Sequence, residues 1–357
     1  MAKKRKVKKS LNKAKRKIIN ILVCIGIITV ISGFAYGLWA MRNIAQPLSV
    51  SASSDIVSVE NSNEHQITFF NLEINNSNQV TNASVTLIDN EENVVRELSL
   101  PQETMLHLPY GMKDFKLQGL YKMANLENSS KLFSTINQTL IDYFGVATQN
   151  IYITKNSSDP NSYQPYYSQL SSMLYMFNLT FNESWLDSHI VSPDSRWKLL
   201  TISKKINNIP SQNRSTANIL DTDIGTKETD IDGATIIKTD FNKLDSYIKK
   251  IFQNTNMLDE KANISIENGT TTSGLGNKVS RLITNMGGVV VSVGNSEIIQ
   301  DETIIKINDK KWIDSSTLNK ITKTLPQSKL SSQLNEDNRT DILIILGKDY
   351  AKLLTGQ

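Results

Sequence analysis

The stretch that decides the fold of the C-terminal part is ISIENGTTTSGLGNKVSRLITNMGGVVVSVGN, residues 264–295. It begins and ends with short β-branched runs, which predict strands at residues 264–266 and 289–293. Between them, five apolar residues recur at the spacing of one helical face. They are Leu275, Val279, Leu282, Ile283 and Met286. Ser273 is the predicted N-cap of this helix, and the glycine pair at 287–288 is predicted to end it.

The sequence that follows continues this alternation of strands and helices. Strands are predicted at residues 303–307 and 342–346, and a helix is predicted at residues 315–325, where Pro326 would stop it. The predicted order for residues 260–357 is therefore β-α-β-β-α-β. Such an order builds one sheet with its helices packed against it.

This C-terminal segment resembles the LytR C-terminal domain, a module of bacterial envelope proteins. The resemblance covers residues 261–353 and rests on motifs that occur in the family's order. They include Asn268-Gly269-Thr270, Ser273-Gly274-Leu275, Val293-Gly294-Asn295, Thr303-Ile304-Ile305 and Asp341 to Tyr350. The resemblance implies an envelope accessory module without a defined chemistry. Five residues of these motifs are candidates either for ligand binding or for the shaping of turns. They are Asn268, Gly269, Thr270, Gly294 and Asn295.

The upstream part, residues 64–256, is predicted to form a further domain of the α/β or α+β class. Strands and helices alternate along it. Strands are predicted at 67–72, 85–88, 94–100 and 151–153, and helices at 130–144 and 240–254, with Gly145 after the first helix. The segment 155–232 is rich in Ser, Asn and Asp, and it is expected to form long loops with one or two helices.

The upstream domain also resembles, more faintly, the LytR-CpsA-Psr fold. Members of that family transfer polyprenyl-pyrophosphate-linked glycopolymers onto peptidoglycan, using arginines, aspartates and a divalent metal. Here residues 98–104 and 113–118 stand where two of the family's motifs occur, but Gln102 replaces the expected arginine and Glu103 the expected aspartate. An amide cannot reproduce the two parallel hydrogen bonds that a guanidinium gives a pyrophosphate, so the domain is predicted to be degenerate and non-catalytic.

An enzyme is the alternative interpretation of this domain. A diverged phosphotransferase would have rebuilt its pyrophosphate site from four side chains. They are Arg96, Glu103, Lys113 and Lys116. Glu103 together with Glu73 or Asp89 would then hold Mg²⁺, because carboxylates are suitable ligands for it. Outside this alternative the sequence predicts no cofactor and no metal site, since its three histidines are scattered and its single cysteine is Cys24.

The N-terminal residues have a charge pattern typical of a membrane anchor. Residues 1–17 carry ten basic residues, whereas the 23 residues 18–40 carry no charge. A helix of that length measures about 34 Å, enough to cross a bilayer core of roughly 30 Å. The basic flank predicts that residues 1–17 are a cytoplasmic tail and that the later domains lie outside the cell. A cleaved signal peptide is the competing interpretation.

Beyond the predicted span, the composition changes sign. Residues 41–63 are polar and are predicted to be a linker. From residue 43 onward the chain has 28 basic and 35 acidic residues, a net charge of −7. A nucleic-acid binder is therefore excluded as an interpretation, because basic residues are not spread over the folded part.

Together these observations predict a single-pass cell-membrane protein with an α/β (α+β) ectodomain of two domains behind one N-terminal transmembrane helix. The hypothesis is that it binds cell-wall glycopolymer, its lipid-linked precursor, peptidoglycan or envelope proteins through its LytR C-terminal domain, without catalysis. The alternatives are a LytR-CpsA-Psr phosphotransferase that attaches glycopolymers to peptidoglycan, and a purely structural scaffold. The expected partners include the membrane and exclude nucleic acid.

Overall fold

The structure is a computed structural model that describes residues 25–34, 36–37, 66–106, 114–127, 132–148, 150–155, 165–182, 185, 189–192, 194–331 and 339–355. Residues 25–34 and 36–37 are helical. The predicted tail 1–17, much of the predicted span 18–40 and the linker 41–63 lie outside these ranges. Within the described ranges, no helix has both the length and the apolar composition needed to cross a membrane.

From Gln66 onward the described residues form strands β1 to β15 and helices α1 to α10, numbered along the chain. The strands are Gln66–Ile74 (β1), Val80–Asp89 (β2), Val94–Pro101 (β3), Met105–Leu106 (β4), Phe115–Lys116 (β5), Ile151–Lys155 (β6), Ile190–Val191 (β7), Arg214–Asn218 (β8), Gly225–Thr229 (β9), Thr235–Thr239 (β10), Asn263–Asn268 (β11), Val289–Asn295 (β12), Ile304–Ile307 (β13), Lys329–Leu330 (β14) and Ile342–Leu346 (β15). The helices are Leu120–Glu127 (α1), Leu132–Phe144 (α2), Tyr166–Leu170 (α3), Met173–Phe181 (α4), Arg196–Asn208 (α5), Phe241–Phe252 (α6), Thr255–Glu260 (α7), Leu275–Asn285 (α8), Ser316–Thr324 (α9) and Lys348–Thr355 (α10).

The upstream domain is built on a six-stranded mixed sheet with the strand order β7-β6-β1-β2-β3-β8. β1, β2 and β3 are antiparallel neighbours, while β6 joins β1 and β8 joins β3 in parallel. Because side chains alternate along a strand, Phe70 and Leu72 of β1 pack with α2 and α6 on one face. Phe69 points to the other face and packs with α3, α4 and α5. Helices therefore cover both faces of this sheet.

The segment 155–232 is more regular than its composition predicted. Its described residues contain α3, α4 and α5, and they also contain β8, which joins the main sheet. The expectation of long loops with one or two helices was therefore wrong. Tyr166, Leu179 and Leu199 from these three helices are completely buried against the sheet. Such burial stabilises short helices whose own sequence favours them only weakly.

The C-terminal domain has a five-stranded sheet with the order β12-β11-β15-β13-β14. Its pairs are parallel except for β13 with β15, which is antiparallel. α8 and α9 pack on the same face, where Ile264, Ile344 and Val279 form part of one buried core. The predicted β-α-β-β-α-β order is present, and β14 and α10 add to it. The prediction of two mixed α/β domains is thus confirmed, whereas the transmembrane helix stays a prediction.

The start of α8 differs from the sequence prediction. Gly274, with φ of +77°, is the N-cap residue, and no side chain caps the helix. The prediction that Ser273 caps α8 was therefore wrong. A left-handed conformation is available to glycine without strain, so the backbone enters the helix there by a turn of its own. The cap of α9 is the more usual kind, since Ser315 Oγ accepts a hydrogen bond of 3.0 Å from the Leu318 N–H.

The residue after β15, Gly347, lies directly against the backbone of a neighbouring segment. Thr303 Oγ1 accepts a hydrogen bond of 3.0 Å from the Gly347 N–H and donates one of 2.7 Å to Asp349 Oδ1. Asp349 Oδ2 accepts another, of 2.9 Å, from the Thr303 N–H. A Cβ on Gly347 would stand 2.3 Å from the carbonyl carbon of Glu302. Backbone atoms on both sides fix this contact, so no side-chain rotation can relieve it.

We expect Gly347→Ala to lower the free energy of unfolding by about 2 kcal/mol or more, because the new methyl group forces two backbone segments apart. Gly294→Ala is the matched control, since no atom lies within 4 Å of a Cβ at Gly294. It should change stability by less than about 0.5 kcal/mol. Denaturant unfolding of the full chain measures both changes, and equal effects would contradict the assignment of Gly347 as a packing position.

Candidate functional site

The side chains predicted for a rebuilt pyrophosphate site do not all meet. Arg96 lies near the start of β3, where it donates hydrogen bonds to Glu92 at 3.2 Å and to the carbonyl of Ile251 at 3.3 Å. Glu103 comes after the opposite end of β3. The extended backbone from Arg96 to Pro101 alone spans roughly 16 Å. The guanidinium of Arg96 is therefore engaged at one end of the strand and Glu103 lies beyond the other.

Glu103 and Lys116 lie on neighbouring segments. Glu103 Oε1 accepts a hydrogen bond of 3.0 Å from Gln102 Nε2. Lys116 lies in β5, which pairs with β4 just after Glu103. Lys113 lies outside the described residues. A pyrophosphate beside Glu103 and Lys116 would thus be out of reach of the Arg96 guanidinium, the group with the geometry to grip it.

The carboxylates considered as Mg²⁺ ligands are divided between two ends of the sheet. Glu73 pairs with Asn82 at one end of the β1–β2 ladder, whereas Asp89 pairs with Gln66 at the other. Asp89 accepts backbone hydrogen bonds of 2.9 and 3.0 Å in the following turn. Among the described residues, no group of three or more His, Cys, Asp or Glu side chains is placed to hold a metal ion.

The second face of the six-stranded sheet carries an unusual number of buried polar side chains, which we call the polar face. They are Asn71, Glu73, Asn82, Ser84, Thr86, Glu97, Ser99 and Thr154. Alternating strands normally direct such residues into solvent. Here all eight are buried, and α3, α4 and α5 pack on this face of the sheet. Asn71 Nδ2, Asn82 Nδ2 and Ser84 Oγ have no hydrogen-bond partner within the described part of the chain.

Glu97 connects the polar face to the helices above it. Its two carboxylate oxygens accept hydrogen bonds from the backbone N–H groups of Tyr166 and Tyr167, at 3.3 and 3.4 Å. Thr86 Oγ1 also donates to it, at 3.2 Å. These N–H groups open α3 and have no partner within that helix, so a sheet carboxylate takes the place of a local cap.

Glu73 is the other buried carboxyl of the polar face. Its side chain accepts a hydrogen bond of 3.2 Å from Gln169 Nε2. The pKa of the Glu73 carboxyl is raised from its ordinary value of 4.5 to about 7, mainly by burial and next by the nearby Glu97 charge, while the Gln169 hydrogen bond opposes the rise. A carboxyl of this kind can exist in both protonation states near neutral pH.

Aromatic rings occupy the space between the polar face and its helices. Phe69, Tyr152 and Tyr166 are completely buried. Their ring centroids lie 5.6 to 6.2 Å apart, and Tyr175 extends the cluster from Tyr166. At such distances rings are in direct contact. Protein side chains thus fill the volume over the centre of β1.

The two domains are joined by a polar contact that we call the domain junction. Arg281 of α8 forms two hydrogen bonds from Nε to the carboxylate of Asp245, at 2.8 and 2.9 Å. Its terminal nitrogens donate to the carbonyls of Asp142 and Tyr143. Asn285, one turn further along, donates to the carbonyl of Gly145 at 3.0 Å. α8 therefore satisfies the open carbonyls at the C-terminal end of α2.

A cleft of about 400 Å³ lies beside this junction, and we call it the interdomain cleft. The upstream domain contributes residues of β1 and α2, and residues 145–148 and 150. The C-terminal domain contributes residues of α8, α9 and the turn at 326–327. Clefts of this size at domain interfaces are a usual place for ligands.

The five candidates in the C-terminal domain do meet, at the ends of the parallel strands β11 and β12, where Asn268 is opposite Asn295. Asn268 Oδ1 accepts hydrogen bonds from the N–H and hydroxyl of Thr270, at 3.1 and 2.7 Å. Gly269 approaches so closely that a Cβ would stand 2.8 Å from the Leu346 carbonyl. These contacts favour the turn-shaping interpretation for Asn268, Gly269 and Thr270.

Sequence reasoning did not find the residues of the domain junction or of the interdomain cleft. Arg281 and Asp245 are separated by 36 positions, and each lies on the polar side of an amphipathic helix. A charged residue in that position predicts only a solvent-exposed face. No motif in the sequence signals that these two faces meet.

Comparison with known families matches residues 261–350 to a family described as LytR cell envelope-related transcriptional attenuator, under the short name LytR_C. The predicted resemblance of the C-terminal segment is therefore confirmed. No curated protein matches the chain.

Solved structures resemble the chain at low sequence identity. TagT bound to LIIa-WTA is 9% identical, with a TM-score of 0.40, and the alignment covers 56% of this chain and 94% of that one. TagV of B. subtilis is 10% identical, with a TM-score of 0.38 and coverage of 52% and 94%. A LytR-CPS2A-psr family protein, YwtF (TagT) with bound octaprenyl pyrophosphate lipid, is 10% identical, with a TM-score of 0.32 and coverage of 55% and 92%. The ligands bound in these structures are ligands of those proteins.

We expect Glu73→Gln to remove a pH dependence of stability. The folded protein keeps a proton on Glu73 up to about pH 7, whereas the unfolded chain releases it near pH 4.5. The stabilisation is therefore fully present below pH 4.5 and is lost as the pH rises to 7, a loss of about 3 kcal/mol. Denaturant unfolding at pH 5 and pH 8 measures it. If the stability difference between variant and wild type is the same at both values, this account of Glu73 is wrong.

We expect Arg281→Lys to destabilise the domain junction by about 2 kcal/mol, because an ammonium cannot hold one carboxylate and two carbonyls in the geometry of a planar guanidinium. Lys278→Ala is the control on the same helix. It removes a single pair with Asp142, and the lysine side chain is 47% exposed, so the loss should stay below about 1 kcal/mol. Thermal unfolding followed by calorimetry compares them, and a larger effect for Lys278→Ala would contradict the prediction.

Proposed function

We propose that this chain is a single-pass membrane protein of the bacterial cell envelope that binds a cell-wall glycopolymer, its lipid-linked precursor or an envelope partner, and that does not transfer the polymer. The match of residues 261–350 to an envelope-related family supports the location. The ten basic residues before 23 uncharged ones support the anchor and its orientation, with the later domains outside the cytoplasmic membrane.

One observation carries the proposal that the protein binds without catalysis. Arg96, the sole arginine of residues 43–195, is engaged by Glu92 and the Ile251 carbonyl, away from Glu103 and Lys116. Transfer of a phosphoryl group depends on cations that converge on the developing negative charge. The described residues at Glu103 supply no such guanidinium.

The polar face supports the same proposal. Over β1 the sheet presents Asn71 and Glu73, and the rings of Tyr152 and Tyr166 fill the space above them. Placing a hydrocarbon chain there would require these buried polar groups to lose their surroundings without new hydrogen bonds.

The test is selective binding to cell walls. We expect the full chain, solubilised in detergent micelles, to co-sediment with isolated sacculi that carry glycopolymer. It should stay in the supernatant when the sacculi have been chemically stripped of that polymer. A scaffold without a ligand would sediment equally with both preparations, or with neither.

The same preparations separate binding from catalysis. When a lipid-linked glycopolymer precursor and stripped sacculi are supplied with Mg²⁺, we expect no polymer to become covalently attached. Attachment that disappears in Glu103→Gln but persists in Glu91→Gln, an exposed residue of the β2–β3 turn, would show that the protein is a transferase.

A further inference from the structure

The strand β12 forms one edge of the C-terminal sheet. Within the described residues it pairs with β11 on one side and with no strand on the other. About half of the backbone N–H and C=O groups of such an edge strand point away from the sheet. The free side of β12 can therefore form a ladder of hydrogen bonds with a further strand.

The side chains of β12 are apolar and exposed. Val289, Val291 and Val293 are 40%, 50% and 41% exposed. Residues 282–296 carry no charge, although the chain from residue 43 onward has a net charge of −7. Valine favours the extended conformation that a neighbouring strand requires. A strand that approaches this edge thus meets apolar side chains and no charge that would repel it.

The other sheet edges of the described chain are protected in ways that β12 is not. Proteins usually keep edge strands short or place charged residues or proline on them. The strands β4, β5, β7 and β14 are two residues long, and β8, β9 and β10 each contain a charged residue. At the opposite edge of the C-terminal sheet, Lys329 of β14 forms an ion pair of 2.6 Å with Glu302.

β12 is seven residues long and contains neither a charged residue nor proline. A bulge at Val291, which has no opposite residue in β11, adds twist to the strand. It leaves the strand apolar and uncharged. The contrast with the other edges favours a role for β12 in pairing with another chain.

The sequence of β12 is suited to pairing with itself. In a two-fold dimer the same strand comes from both copies, in antiparallel orientation. With Val291 on the two-fold axis, Val289 would face Val293 of the second copy. Val290 would then face Ser292 of the second copy. Valine and serine alone meet across such a pair, so no like charges are opposed. A charged partner, in contrast, would find no charge on this strand to recognise.

We propose that β12 is a dimer interface, at which it pairs antiparallel with β12 of a second copy of this chain. The two five-stranded sheets then continue into one another across the two-fold axis. Because the pairing uses the free side of β12 in both copies, the assembly closes as a dimer and does not grow further. This inference does not depend on the proposed function.

The test is sedimentation equilibrium of the full chain in detergent micelles at increasing protein concentration. We expect the wild type to form a reversible dimer. Val291→Lys should raise the dissociation constant about tenfold or more, because it opposes two ammonium groups near the axis. Val291→Glu should do the same with two carboxylates. An equimolar mixture of the two variants should restore the dimer, since opposite charges then face each other.

Leu330→Lys is the matched control. It adds the same charge to β14, at the opposite edge of the same sheet, where the leucine is 45% exposed. It should leave the dissociation constant unchanged. Denaturant unfolding checks that all three variants are folded, which their exposed positions favour.

Four results would each overturn the inference. They are a monomeric wild type, a Val291→Lys variant that dimerises as tightly as the wild type, a mixture of the two Val291 variants that stays monomeric, and a Leu330→Lys variant that dissociates as readily as Val291→Lys. A monomeric wild type would mean that the edge accepts a strand of a different protein or none. A dimer that persists in Val291→Lys would form through another surface, such as the predicted membrane span.

Discussion

The guanidinium of Arg281 is the contact on which the arrangement of the two domains depends. It holds the carboxylate of Asp245 with two hydrogen bonds and the carbonyls of Asp142 and Tyr143 with two more. Those carbonyls belong to the last turn of α2, where an α-helix leaves its C=O groups without partners. One side chain of the C-terminal domain thus donates hydrogen bonds to the open carbonyls at the end of a helix of the upstream domain. This contact and that of Asn285 with Gly145 fix one wall of the interdomain cleft relative to the other.

The polar face buries hydrogen-bonding side chains at a cost in stability. Asn71, Ser84 and Thr86 occupy positions where apolar side chains would stabilise a covered sheet more. Some of their hydrogen-bonding groups are satisfied internally, as when Thr154 Oγ1 donates to Asn71 Oδ1 at 3.3 Å. Others have no partner within the described residues. The Glu73 carboxyl is a further buried polar group of this face, and its burial raises its pKa.

Much of the fold was predictable because it depends on local patterns. The period of α8, the β-branched runs of β11 and β15, and Gly145 after α2 are all signals carried by adjacent residues. α3 to α5 were underestimated because their stabilisation comes from burial against the sheet. Ser273 was assigned as a cap because the sequence shows a suitable hydroxyl, while the structure uses the backbone freedom of Gly274.

The candidate functional residues also divide into those that local sequence patterns indicated and those that only the tertiary structure brought together. Gln102 and Glu103 showed from the sequence that the expected phosphate-binding motif is altered, and Asn268 to Thr270 showed a turn, because both signals lie within a few residues. The position of Arg96 at the far end of β3 from Glu103 depended on the strand ladder. Arg281 and Asn285 of the domain junction gave no signal at all, since each is an ordinary residue of an amphipathic helix.

The sequence by itself determined the charge division of the chain, the classes of its two domains and the identity of the LytR C-terminal segment. Charge is a sum over residues, and the domain classes and the family motifs are patterns of neighbouring residues. Both can therefore be identified without knowing which residues are in contact. Only the tertiary structure decided that helices cover both faces of the upstream sheet, and that the described residues lining the cleft between the domains include no Asp or Glu. Those properties arise from residues more than a hundred positions apart, such as Asn285 and Gly145. Their proximity is set by the packing of whole helices, which no local pattern records.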